Sequence, residues 1–209
     1  MEVGLYVRDY MDDPTRPLYD QIEEAAEIFR LAKGMGFSTL YMPQHFIAHP
    51  TIWPQPMEIL SRLAPDAKGL RLMTGILLLT YHNPVDIAEQ TATLDQISNG
   101  MFTLGVGLGY VEKELEAFGT NRAERVGRLE ESITLMKELW TGEEVDHEGR
   151  YWTVRGGRLG ITPIQKPHPP IWLAAQSRGA IHRAASIADA CLLGPQPNWD
   201  DIDNLAEVY

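Results

Sequence analysis

A chain of 209 residues, 44% hydrophobic and 22% charged, has the size and composition of one soluble globular domain with a substantial core. A formal charge of -11 without any Lys/Arg cluster argues against nucleic acid or an anionic membrane as the main partner. The single cysteine, Cys191 within ADACLLG, excludes an internal disulfide and reads as a buried structural thiol. No stretch approaches the roughly 18 apolar residues of a membrane span, and the first residues lack a signal-peptide pattern, so the expectation is a cytoplasmic protein.

Val3 to Val7 forms a short apolar strand, followed by a polar loop to Pro17. Leu18 to Met35 carries Ile22, Ala25, Ala26 and Phe29 at helical spacing, with Gly34 and Gly36 as a stop. Ser38 to Met42 is the second strand, and Pro43 to Pro56 a loop with four prolines and two histidines. A loop of that length past a strand end is more often functional than not. Met57 to Ala67 is a short helix with Pro65 in its last turn, and Leu70 to Leu79 the third strand, interrupted at Thr74 and Gly75. Asn83 and Pro84 cap a helix over Val85 to Ser98, closed by Gly100.

Met101 to Val106 is apolar at most positions, as in a strand covered on both faces. Gly105, Gly107 and Gly109 then free the backbone to turn and let a helix or a ligand approach closely. The spacing is G-x-G-x-G before Tyr110, in the fourth strand unit, which disfavours a dinucleotide fingerprint. Glu112, Glu114 and Glu116 read as solvated acids at a helix start. Arg122 to Trp140 is an amphipathic helix whose Arg122, Arg125 and Arg128 lie on one face, suited to pairing with those acids. The alternation around Tyr151 and Trp152 within Glu143 to Arg158 predicts a small antiparallel hairpin. Ile171 to Ala175, Ser177 to Ile187 and Ala190 to Leu193 are strand, helix and strand, and Trp199 to Tyr209 begins another helix.

Six such alternations with short links call for a parallel sheet with helices outside, and either a doubly wound sheet or an eight-stranded barrel fits. A barrel needs about 250 residues and eight strands, so on that reading the last two units are missing. In either architecture ligands collect where the strands end. Those positions hold Gln44 and His45, then Thr74 and Gly75, then Gly107 to Tyr110, then Gln176, Ser177, Arg178 and Gly179. His45 suits general acid/base work, or is a loop histidine bonded to backbone. His45 and His49 are four apart, but Pro43 and Pro50 argue against the continuous helix that metal ligation at this spacing would use. Ser177, with Arg178 and Gly179 beside it, forms either a phosphate site at a helix start or an ordinary serine N-cap. No G-x-S-x-G, Walker loop or C-x-x-C occurs, so hydrolase, nucleotide kinase and thioredoxin readings lack anchors.

With these residues assembled, nearly the whole chain resembles the bacterial-luciferase-like family of flavin-dependent monooxygenases. The most specific block runs from Asn83 to Leu139: NPVDIAEQTATLDQISNGMFTLGVGLGY, ELEAFG and RLEESITLMKELW. Gln44 and His45 resemble the family's EH pair, and PPIWLAAQSRGAIHRAASIADA resembles its fifth-strand phosphate segment.

The resemblance implies a (β/α)8 TIM barrel, here one domain over residues 1–209 and truncated at its C-terminus, and a homo-oligomer when full length. It implies that His45 is catalytic and that Thr74, Gly75 and Ile76 lie along the flavin ring, with a non-proline cis peptide between Gly75 and Ile76. Gly107, Leu108, Gly109 and Tyr110 would approach the cofactor, and Gln176, Ser177, Arg178 and Gly179 hold its phosphate. Two departures stand out: Leu108 occupies the place of an arginine in luciferase proper, and Gln44 the place of the usual acid. The implied activity is a monooxygenase using reduced FMN from a flavin reductase, and molecular oxygen, on a small apolar organic substrate. The alternatives are an oxidoreductase that transfers hydride with a deazaflavin, and a non-catalytic flavin-binding fragment.

Overall fold

A computed structural model describes residues 2–194; the helix expected from Trp199 lies outside them. In chain order the elements are β1 (Gly4–Tyr6), α1 (Leu18–Ala32), β2 (Thr39–Met42), α2 (Pro56–Leu63), β3 (Arg71–Thr74), β4 (Leu77–Leu78), α3 (Pro84–Ile97), β5 (Phe102–Gly107), α4 (Glu112–Ala117), α5 (Arg125–Leu139), β6 (Val145–Glu148), β7 (Thr153–Gly157), β8 (Ile171–Ala175), α6 (Arg178–Ile187) and β9 (Ala190–Leu193). The order in the main sheet is β1-β2-β3-β5-β8-β9, with β4 also paired to β5, and every pairing is parallel. Each new strand is added beside its predecessor. A doubly wound sheet reverses direction partway, so this sequential order excludes it and leaves the barrel, present as a curled, incomplete one.

Local chemistry sets the elements. Asn83 Oδ1 accepts the Val85 N–H at 2.9 Å and Pro84 occupies the first turn, which starts α3 where the sequence predicts. Gly36 and Gly142 follow helices at φ 92° and 81°, left-handed stops that a side chain would strain. Several boundaries differ from expectation. α2 ends at Leu63, so Pro65 lies beyond the helix rather than in its last turn. α5 starts at Arg125 because Asn121 Oδ1 first accepts the N–H groups of Ala123 and Glu124, at 2.9 and 3.1 Å, and holds a turn. The third strand divides into β3 and β4 at Gly75 and Ile76.

β5 is buried at all six positions, as a central strand covered on both faces must be. Leu40, Leu72, Phe102, Leu104 and Ile171 pack with Phe29, Leu60, Ala88 and Ile133 of the surrounding helices into one core. Trp140, also fully buried, ties α5 to α3 through its indole N–H, which donates to the Ala88 carbonyl at 3.0 Å. The hairpin β6–β7 is antiparallel, as expected, and stands apart from the main sheet. Glu131 on α5 accepts the backbone N–H groups of Arg150, Tyr151 and Trp152 and anchors its turn. No helix among the described residues is long and apolar enough to cross a membrane.

Candidate active site at the strand ends

The segment after β2 is held by side chains rather than by regular structure. Gln44 is buried: its Oε1 accepts the Leu78 N–H at 2.8 Å and lies 3.0 Å from His82 Nε2, while its Nε2 donates to Gln55 Oε1 at 2.8 Å. Burial pulls the His82 imidazole down to about 4, so the ring is neutral near pH 7 and presents Nε2–H to the amide oxygen. Gln55 Nε2 in turn donates to the His45 carbonyl at 3.4 Å.

His45 itself is paired. Its Nδ1 lies 2.9 Å from Glu114 Oε1, and the same oxygen accepts the Phe46 N–H at 2.9 Å. The Glu114 side chain is 2% exposed. The Tyr81 hydroxyl donates to its other oxygen at 3.4 Å. Burial, with Glu114 beside it, pushes the Tyr81 phenol up to about 12. A carboxylate only accepts, so Nδ1 is the donor to Glu114, and in the neutral tautomer of His45 the lone pair is on Nε2. Trp53 and Tyr110 meet the imidazole edge-on, with ring centroids 4.6 and 5.8 Å away.

The expectation that Glu112, Glu114 and Glu116 are solvated is therefore corrected for Glu114. Glu112 does face solvent and pairs with Arg122 Nε at 2.8 Å, as predicted. Glu114 is instead buried, three residues after the half-buried Val111 and four before Phe118, whose ring meets Phe46 and Tyr81. That apolar spacing was the readable signal for its burial. Arg122 and Arg125 also brace the glycine turn, donating to the carbonyls of Tyr110 and Gly109 at 3.0 and 2.7 Å.

The close approach expected at the glycines is made by the protein itself. A Cβ on Gly105 would stand 2.0 Å from the Thr74 carbonyl oxygen, and one on Gly107 2.1 Å from Ile76 Cδ1. Gly109 has φ 69°, and its Cβ would meet the Tyr81 hydroxyl at 2.3 Å. Thr74 is buried and its hydroxyl donates to the Gly105 carbonyl at 2.8 Å, clamping β3 to β5. The Gly75–Ile76 peptide is cis, and both residues are half-buried. Leu108 packs against the main core, and its carbonyl accepts from Thr80 Oγ1 at 2.8 Å.

At the end of β8, Gln176, Ser177, Arg178 and Gly179 are exposed. Ser177 Oγ accepts the Ala180 N–H at 3.4 Å, an N-cap. Helix geometry leaves the Arg178 and Gly179 N–H groups without intrahelical acceptors, and a Cβ on Gly179 would touch nothing within 4 Å. The structure thus joins His45 to Tyr110 and to the β4–β5 turns. Among the described residues no hydrogen bond or ring contact links residues 176–179 to His45; the two groups share only the end of the sheet.

A family model described as luciferase-like monooxygenase matches residues 1–209. The oxygenase component of a flavin-dependent trigonelline monooxygenase from Acinetobacter baylyi is 32% identical over 163 residues, 77% of this chain and 44% of that protein. An F420-dependent glucose-6-phosphate dehydrogenase from Microbacterium testaceum is 32% identical over 167 residues, 76% of this chain and 48% of that one. The oxygenating constituent of 3,6-diketocamphane monooxygenase from Pseudomonas putida, solved in complex with FMN, superposes with a TM-score of 0.84 over 100% of this chain and 61% of its own, at 22% identity. The chain spans about half the length of the curated relatives it matches.

Proposed function

The chain belongs to the luciferase-like monooxygenase family, and from that premise we propose that it is a monooxygenase working with reduced FMN and oxygen on a small organic substrate, with residues 1–209 as one barrel domain. The observation that carries this reading is His45, held at a strand end through Nδ1 by the buried Glu114.

The residues present fit a flavin. Ile76 Cδ1 lies against Gly107, where a Cβ would collide, which offers an apolar surface at the strand ends for a ring system. Ser177, Arg178 and Gly179 offer a phosphate free amides, a guanidinium and the positive end of α6. Arg178 takes over the charge that Leu108 does not supply. A reduced flavin bound there supplies two electrons for oxygen activation. His45 Nε2 takes or returns the proton, Glu114 keeps the ring in one tautomer, and Trp53 and Tyr110 limit its rotation. The trigonelline relative is named an oxygenase component, which supports a separate flavin reductase as the source of reduced cofactor.

Titration with reduced FMN tests the reading. Binding with oxygen-dependent cofactor oxidation, slowed about 100-fold or more in His45→Ala, is expected. No binding, or an unaffected His45→Ala, overturns it. The dehydrogenase relative supports a second reading, hydride transfer with a deazaflavin. Side-by-side titration separates the two, since tight binding of the deazaflavin alone removes the monooxygenase.

A further inference from the structure

The polar segment after β1 contains a cation without a hydrogen-bonded partner among the described residues. Arg8 lies in the turn Val7–Tyr10, at the same end of the sheet as His45. Its side chain is only 17% exposed, and among the described residues its one ion pair is with Asp9, 66% exposed and 3.6 Å away, beyond hydrogen-bonding distance. The Nε atom is buried and has no hydrogen-bond partner among the described residues. The other half-buried arginines of the described residues all donate: Arg71 to Thr103, Arg125 to Gly109, Arg128 to Glu124 and Arg183 to Glu130. A buried charged donor left unpaired is costly and asks for a reason.

The surroundings supply one. The Arg8 guanidinium stands 5.0 Å from the Trp53 ring centroid, and Trp53 is the ring that meets His45 edge-on. The face toward β2 is aromatic as well. Tyr6 and Tyr41 are 5.1 Å apart, and Tyr41 crowds the place where a Cβ of Gly75 would stand. The phosphate segment is not close by in the sheet, because β2, β3 and β5 separate β1 from β8. In a chain of net charge -11, this positive group shares the Trp53 ring with His45.

We propose that Arg8 is a specificity-determining residue that takes the carboxylate of an organic-acid substrate, whose flat apolar body lies among Trp53, Tyr6 and Tyr41 within reach of His45. A guanidinium offers a carboxylate two parallel N–H donors, and the aromatic walls keep that pair out of water. This refines the expected apolar substrate to one with a single anionic end, and it rests on the flavin reading only for the position of the reacting centre.

The test uses the full chain loaded with whichever flavin it binds, and titrates benzoate against its neutral counterpart benzamide by calorimetry. Benzoate should bind about ten-fold or more tightly, weakening with added salt. Arg8→Met should bring benzoate to the benzamide level without changing benzamide binding, and Arg8→Lys should keep part of the preference. Equal binding of the two probes, no benzoate binding, or a preference that survives Arg8→Met overturns the assignment. Flavin absorbance on the same samples separates the two claims. Loss of flavin binding in the unmodified chain removes the proposed function, whereas intact flavin binding without carboxylate preference removes only the role of Arg8.

Discussion

Replacing Glu114 tests whether His45 is held by charge or merely by shape. Glu114 Oε1 accepts from both His45 Nδ1 and the Phe46 N–H at 2.9 Å. In Glu114→Gln one amide oxygen still accepts both, and the new NH2 can donate to the Tyr81 hydroxyl. The bonds change from charge-assisted to neutral, about 1 kcal/mol each, for a loss of about 2 kcal/mol. Glu114→Ala leaves both donors unsatisfied inside a buried site, and the loss rises to about 4 kcal/mol. For a domain of this size those losses lower the melting temperature by about 6 and 12 °C. Calorimetry measures them. Nitrogen NMR of the His45 ring supplies the second readout: Glu114 and Glu114→Gln keep the proton on Nδ1, and Glu114→Ala gives a mixture of tautomers. Cofactor oxidation should then slow about ten-fold in Glu114→Gln and about 100-fold in Glu114→Ala. A Glu114→Ala protein that melts within about a degree of the parent, or whose His45 tautomer is unchanged, refutes the clamp.

Three further outcomes follow from the same geometry. Gly107→Ala drives a Cβ into Ile76 Cδ1, and overpacking of this kind costs about 1 to 3 kcal/mol; adding Ile76→Ala should recover most of that, which a double-mutant cycle in urea measures. His82 sits at about 4 against an ordinary 6.5, so the unfolded chain takes up a proton that the folded chain resists. Stability present above pH 6.5 is therefore lost as the pH falls toward 4, on the order of 3 kcal/mol. Urea melts at neutral and mildly acidic pH should show His82→Gln with the shallower dependence; an equal slope refutes the assignment. Glu131→Ala removes the acceptor of three hairpin amides, and hydrogen exchange at Arg150 to Trp152 should accelerate while β5 and β8 stay protected.

The six strands and the hairpin were legible because each is an apolar or alternating run bounded by a cap or a glycine, signals that live within one segment. The break between β3 and β4 was only half visible: Thr74 and Gly75 marked an interruption, but its cause is the fit of Ile76 against Gly107, some thirty residues apart in sequence. His45 could be found from its residue type at a strand end. Glu114 was missed because acids at a helix start have a ready explanation in the helix dipole. Its spacing from Val111 and Phe118 weighed against that explanation. Arg8 had no local signal at all. Its interest lies in what it fails to meet, and a missing partner is a property of the folded chain.

These contacts change how the glycine turn after β5 relates to the site. α4 has six residues, too few to persist as an isolated helix, so it depends on its surroundings. Arg122 and Arg125 fasten the turn that leads into it, Gly109 lets that turn pass the Tyr81 hydroxyl, and Lys113 Nζ donates to the Ile47 carbonyl at 2.7 Å. Glu114 then reaches from α4 to His45 and Phe46. The position of His45 is thus set largely from β5 and α4, although the residue follows β2. A substitution that loosens α4 without touching the β2 loop should disorder His45, while trimming the exposed side chain of Ile47 should leave it in place, because Lys113 holds that residue by its backbone.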